Sequence, residues 1–216
     1  MELKWLGWAS WLIKTNGKTI YIDPFKGDAE EKADIVLLSH NHPDHCDTEQ
    51  LRRIRAKDTI VLTPSAFAKD IDAEALDVGQ TKKIGNIKIN AVAAYNLKIP
   101  NHQKGRDTGF VIESEGKRVY FAADTDLIDE MNNIKNIDVA LLPIGGTFTM
   151  DLNQAVEAVK RIKPKIAIPM HYGIIDIVFG GKPMHIDFRP DPKEFAKKVG
   201  NLAEVKILKA GESIRV

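Results

Sequence analysis

Three imidazoles and a carboxylate fall within six residues at His40-Asn-His42-Pro-Asp44-His45, directly after the apolar run Ile35-Val-Leu-Leu. Neutral imidazole nitrogens suit borderline divalent metals, and an aspartate offsets part of the cation's charge. Such density on one tight loop can therefore build one or two metal sites. Chance explains it poorly, because the chain has six histidines and half of them sit here. Two later apolar runs end in the same way: Val119-Tyr-Phe-Ala-Ala leads into Asp124-Thr-Asp126, and Ile166-Ala-Ile-Pro-Met leads into His171. Asp124 ends its run directly and is read as a ligand, with Asp126 capping a helix that follows. His171 is read as a further ligand. A divalent metal with an open coordination position lowers the pKa of its water to about 7, so the expected chemistry is hydrolysis without a protein nucleophile. Asp44 is the candidate to orient that water or carry its proton. One or two divalent ions are expected, with zinc the first choice and manganese, nickel or iron the alternatives.

Composition narrows the field. Cys46 is the only cysteine, so neither an intrachain disulfide nor a cysteine-based zinc cluster can form, and Cys46 is read as a small packing residue. With 31 Lys plus Arg against 30 Asp plus Glu, the formal charge of +1 supplies no field for nucleic acid or an anionic membrane. No stretch approaches the roughly 20 apolar residues of a membrane span, and the N-terminus lacks the pattern of a secretory leader. A cytoplasmic protein acting on a small molecule is expected. Lys98, Lys104 and Arg106 favour an anionic substrate such as a phosphoester or a sugar-phosphate lactone, an ordinary solvated loop being the alternative.

The elements that must position these residues are mostly strands. β-rich runs are read at Trp11–Lys14, Thr19–Ile22, Ile35–Leu38, Thr59–Leu62, Ile87–Ala94, Gly109–Glu113, Arg118–Ala122, Val139–Leu142, Ile166–Pro169 and Val205–Leu208. Helices are expected at Thr48–Arg55 after an Asp47 cap, at Asp151–Ile162 with one apolar stripe, and from Pro192 to Val199. Gly17-Lys-Thr-Ile-Tyr-Ile-Asp23 is echoed by Gly116-Lys-Arg-Val-Tyr-Phe-Ala-Ala-Asp124, and each is followed by a similar second strand. Two β-rich halves with facing sheets and outer helices give an α/β, four-layer αββα sandwich of two pseudo-repeated halves, read as one domain over 1–216. The site then lies where strand ends of both halves meet. His185 falls in a Gly-rich, loop-like stretch and is read as no ligand, with Gly180–Asp187 at the pocket rim.

His-x-His-x-Asp-His, followed by a lone Asp and a late His after strands, resembles the metallo-β-lactamase superfamily across nearly the whole chain. Trp5-Leu-Gly-Trp-Ala-Ser10, Tyr21-Ile-Asp-Pro24, Pro143-Ile-Gly-Gly-Thr147 and Met170-His-Tyr-Gly173 are similar to the branch holding ascorbate-phosphate lactonase-like proteins and N-acyl phosphatidylethanolamine phospholipase D. The resemblance implies that one metal takes His40 and His42, that the other takes Asp44, His45 and His171, and that Asp124 bridges them. It also implies that Asp23 supports the histidine loop. Two departures stand out. Trp8 occupies a place where that branch usually has histidine, and Asn96 stands where the first site's third histidine is expected. His102, six residues on, could fold back to complete that site or could be an exposed loop residue. The rival readings are an iron-dependent redox enzyme of the same fold and a metal-binding protein that has lost catalysis.

Overall fold

Residues alternating along each strand face opposite sides of a sheet, so the strands sort their own side chains into layers. In the computed structural model, which describes residues 1–28 and 31–216, the chain begins with β1 (Glu2–Gly7), β2 (Ser10–Thr15), β3 (Lys18–Ile22), β4 (Ile35–Leu37), β5 (Ile60–Thr63) and β6 (Glu74–Ala75). It continues through β7 (Thr81–Ile84), β8 (Ile87–Ala93), β9 (Thr108–Ser114), β10 (Lys117–Phe121), β11 (Val139–Pro143) and β12 (Ile166–Met170). It ends with β13 (Gly173–Phe179), β14 (Lys182–Phe188), β15 (Glu204–Val205) and β16 (Ser213–Arg215). Two mixed sheets result, in the orders β16-β1-β2-β3-β4-β5-β6 and β15-β12-β11-β10-β9-β8-β7, and β13 pairs with β14 as a separate hairpin.

Ile20, Ile22, Ile35 and Leu37 of the first sheet share one buried cluster with Phe110, Ile112, Val119 and Phe121 of the second, which makes this the layer between the sheets. The intervening Tyr21 and Val36 face the other way, onto Leu51 and Ile54 of α1 (Thr48–Ile54). Tyr120 and Ala140 likewise pack on Ala155 and Val159 of α3 (Leu152–Ile162) and on Phe195 of α4 (Pro192–Val199). A short α2 (Ser65–Ala68) follows β5. The layering is the expected αββα sandwich. Truncating an inter-sheet residue such as Phe121 would cost about 3–5 kcal/mol.

The expected repeat is a repeat of topology. In each half an antiparallel pair leads by parallel steps to two further strands, β2-β3-β4-β5 and β9-β10-β11-β12. Both hairpins turn on a left-handed pair, Asn16-Gly17 and Glu115-Gly116, and they meet across the sandwich where the Asn16 amide donates to Glu115 Oε1 at 2.6 Å. Helix starts follow the capping expected of their sequences. Asp47 accepts from the Glu49 and Gln50 amides, and Asp151 forms a capping box with Gln154.

Three expectations need correction, and β1, β6, β7, β13, β14 and β16 lie outside the runs read as strands. The strand read at Val205–Leu208 pairs only at Glu204–Val205. Gly180–Asp187 is largely strand: Gly180 and Gly181, both left-handed, form the two-residue turn of a hairpin running from Gly173 to Phe188. Asp126 caps no helix. Its carboxylate accepts from the Leu97 amide at 2.7 Å and from Asn96 Nδ2 at 3.4 Å, bracing the turn that leads to His102.

Candidate metal centre

The chain leaves several strands toward the site through left-handed residues that are not glycine: Trp8 (φ 55), Asp23 (φ 44), Ala123 (φ 57) and His171 (φ 56). Each such turn costs on the order of 1–2 kcal/mol, and strain of this kind gathers where a fold must aim side chains. Glycine serves where backbones touch. A Cβ at Gly145 would collide with the His171 carbonyl oxygen, so only glycine lets the turn after β11 run against the His171 loop.

His40, His42 and His102 each place a ring nitrogen within 4.8 Å of the others, and Asp44, His45, Asp124 and His171 do the same with their donor atoms. Supporting bonds fix which nitrogen each ring presents. The Ser39 hydroxyl donates to Asp23 Oδ2 at 2.5 Å, so its oxygen accepts from His40 Nδ1 at 2.8 Å and leaves His40 Nε2 with a free lone pair. His45 Nδ1 donates to Asp23 Oδ2 at 2.8 Å and presents Nε2. Asp23 thus carries out the supporting role the resemblance implied.

His102 is 2% exposed, so it is no surface residue. Its Nδ1 and its backbone amide both donate to Asn96 Oδ1, at 2.8 and 3.2 Å, and its Nε2 lies 3.2 Å from His42 Nδ1 and 3.6 Å from Asp124 Oδ2. The Asn96 amide group is itself oriented, because its Nδ2 donates to the Phe148 carbonyl at 2.9 Å. Asn96 therefore stands behind His102 and does not replace it.

Distances in the second set have the same character. His45 Nε2 lies 3.3 Å from Asp124 Oδ1, His171 Nε2 lies 3.1 Å from Asp124 Oδ2, and each of these nitrogens is 3.7 Å from Asp44 Oδ2. A cation holding such donors at about 2.0–2.1 Å in tetrahedral geometry spaces them by roughly 3.3–3.4 Å. Nε2 of His40, Nε2 of His45, Oδ1 of Asp124 and both ring nitrogens of His171 are buried with no hydrogen-bond partner among the described residues. Orphaned buried groups are costly unless something unites them, and the donor set fits one or two divalent cations with Asp124 between them. Trp8, at the place of the expected histidine, donates from Nε1 to Asp44 Oδ2 at 3.0 Å, and its ring lies 4.3 Å from that of His171.

Burial pushes the imidazoles of His40, His42 and His102 down, His102 to about 4, so all three are neutral at pH 7. Burial opposes the charged forms of His45 and His171 as well, but Asp124 and Asp44 outweigh it and hold both above the ordinary value, His45 far above. In return, burial would raise the two carboxylates, yet His45 and His171 hold Asp44 at about 2 and Asp124 well below the usual range. A cation entering the second set must therefore displace protons, and its affinity rises with pH. The metal-free fold behaves oppositely. Histidines raised above 6.5 stabilise it fully below that value and lose this contribution as pH rises through their folded values, while the three lowered histidines are neutral in both states above 6.5 and add no slope there. The drop in melting temperature caused by a chelator should accordingly widen from pH 6.5 to 8.5. A drop that narrows over this range would contradict the assignment.

A cavity of about 270 Å³ opens onto both sets, reached by His42, Asp44, His102, Asp124 and His171. The cations expected to favour an anionic substrate do not line it. Lys104 pairs with Glu130 at 2.7 Å, Arg106 lies over the Phe67 ring, and Lys98 is exposed on the loop. His185 lies outside both sets, paired with Asp176 on the exposed face of the hairpin. Half-buried Cys46 packs beside the first-sheet helix layer, its thiol pushed up to about 11 by burial. Ser39, Asn96 in its supporting role, and the inner face of β13–β14 were not found from the sequence.

Comparison with known proteins agrees with this geometry. The beta-lactamase superfamily domain matches residues 2–171. A UPF0173 metal-dependent hydrolase of Pelotomaculum thermopropionicum is 35% identical over 239 aligned positions covering 100% of both chains, and one of Archaeoglobus fulgidus is 34% identical, covering 99% of this chain and 98% of that one. Among solved structures, Igni18, a metallo hydrolase of Ignicoccus hospitalis, is 29% identical with a TM-score of 0.79, covering 99% of this chain and 97% of its own. With its layers, its strand-end donors and these relatives in agreement, the chain belongs to the metallo-β-lactamase superfamily and is one of its UPF0173 metal-dependent hydrolases.

Proposed function

We propose that this hydrolase cleaves an ester-type bond of a small molecule in the cytoplasm, with one or two cations, zinc first among them, held by His40, His42, His102, Asp44, His45, His171 and the shared Asp124. The observation that carries this reading is the pair of donor sets meeting at Asp124 on the floor of one cavity. When bound, a divalent cation supplies hydroxide at neutral pH and electrostatic stabilisation of a developing oxyanion. Hydrolysis joins the water oxygen to the carbonyl carbon, breaks the acyl C–O bond and returns one water proton to the leaving alkoxide. Asp44, which accepts from Trp8 Nε1 at 3.0 Å and lines the cavity, is placed to orient that water or to carry its proton. Esters and lactones without a further charged group fit the cavity, since its described lining offers no Lys or Arg to a second anionic group of a substrate. Five imidazoles with only two carboxylates also suit hydrolysis better than diiron oxygen chemistry, which favours more carboxylate donors.

Turnover on a panel of carboxylic esters, lactones and phosphodiesters, with zinc, manganese or nickel added, tests this reading. Hydrolysis of an ester or lactone that a chelator abolishes and metal restores is expected. No turnover across the panel, or iron absorption with oxygen uptake, would overturn it.

A further inference from the structure

The cavity wall opposite the metal donors belongs almost wholly to the β13–β14 hairpin. Alternation along its strands sends Ile177 and Phe179 from β13, and Met184, Ile186 and Phe188 from β14, to the inner face. The outward positions hold Asp176 and His185, paired with each other. Phe148 adds a further apolar surface, and among the described lining residues outside the two donor sets Asn101 is the one polar side chain. The wall continues into the site itself. Phe188 stacks 5.9 Å from Trp8, and Phe179 meets His42 edge-on at 5.6 Å. Phe179 and Met184, at the mouth, are 47% and 41% exposed, large apolar surface that an apolar occupant would cover.

We propose that this hairpin is a specificity wall, and that the site takes esters or lactones whose substituent beyond the scissile bond is uncharged and apolar. This rests on the hydrolase reading above and narrows its substrate class. A volume of about 270 Å³ lies just below the usual range of ligand cavities, which suits a small acyl or aryl group with its ester head. An anionic tail gains nothing there. Against the hairpin it would lose its hydration to apolar side chains, and the described lining offers no Lys or Arg to pair with it.

The test separates the wall from the reaction. Calorimetric titration of the zinc-loaded protein with the alkyl hydroxamates from acetohydroxamate to octanohydroxamate reads tail affinity without turnover. Affinity should rise about fourfold per methylene until the cavity is filled, then level off. The monohydroxamate of succinate, with its anionic tail, should bind at least tenfold more weakly than butyrohydroxamate. Met184→Lys and Phe179→Ala, both at the half-exposed rim, should flatten the series with zinc content unchanged. A flat series in the wild type, an anionic tail bound as tightly as the apolar one, no hydroxamate binding at all, or a series untouched by both variants would overturn the proposal. Parallel turnover of p-nitrophenyl acetate, butyrate and hexanoate distinguishes the two readings. A steep hydroxamate series without ester turnover upholds the wall and defeats the ester-type reading of the substrate. Ester turnover with a flat series does the reverse.

Discussion

Replacing Asp124 by alanine will empty both donor sets and lower kcat/KM by more than about 1,000-fold. The basis is position. One Asp124 oxygen lies 3.3 Å from His45 Nε2, while the other lies 3.1 Å from His171 Nε2 and 3.6 Å from His102 Nε2, so its loss is felt by both sites at once. Outer partners of metal ligands typically cost 10–100-fold when removed, and a shared ligand must cost more. Deleting a buried carboxylate also leaves His45 and His171 without their main anionic partner, at about 3–5 kcal/mol of stability. Elemental analysis must therefore be made on folded protein, with Asp124→Asn as the isosteric control. His40→Ala and His45→Ala should each empty their own site. Metal content unchanged in all of these variants would sink the assignment.

His102→Ala gives the second large effect: one tightly held metal per chain in place of two. The first set would keep His40, His42 and a share of Asp124, one donor short, while Asp44, His45, Asp124 and His171 stay whole. Activity should fall further than stability, since folding depends mainly on the strands while the proposed chemistry draws on both donor sets. Asn96→Ala sets the scale for support alone. It removes the acceptor of His102 Nδ1, at 2.8 Å, so first-site affinity should drop about 10–100-fold while saturating metal restores turnover. If His102→Ala retained two metals and full turnover, the first site would have to be completed by some other donor.

The candidate donors were legible because they follow buried strands: three histidines in six residues, then an acid and a histidine each released from an apolar run, and the structure brings them together. The layering was legible too, because Ile20 and Ile22 alternate with Tyr21 as Val119 and Phe121 do with Tyr120. Bonds formed through the fold were not. Nothing local in Asn96 through His102 says that the loop doubles back, since that depends on Asp126 and the Phe148 carbonyl, which approach from other parts of the chain. Trp8 was read only as a departure from the pattern of the resembled branch, and its Nε1 bond to Asp44 could not be foreseen. The β13–β14 hairpin was legible and misread. Gly180-Gly181, flanked by Ile175, Ile177 and Phe179 on one side and Met184, Ile186 and Phe188 on the other, is a period-2 pattern around a two-residue turn, obscured by the charged residues of its outward face.

In the proposed reaction the two donor sets hold the metal on which hydrolysis depends. Zinc titration into chelator-treated protein, with turnover of the best ester of the panel measured at each addition, tests it most directly. Turnover should start at background, rise with added zinc and reach its plateau at two equivalents per chain. Full turnover before any zinc is added, or stoichiometric zinc binding that leaves turnover at background, would contradict it.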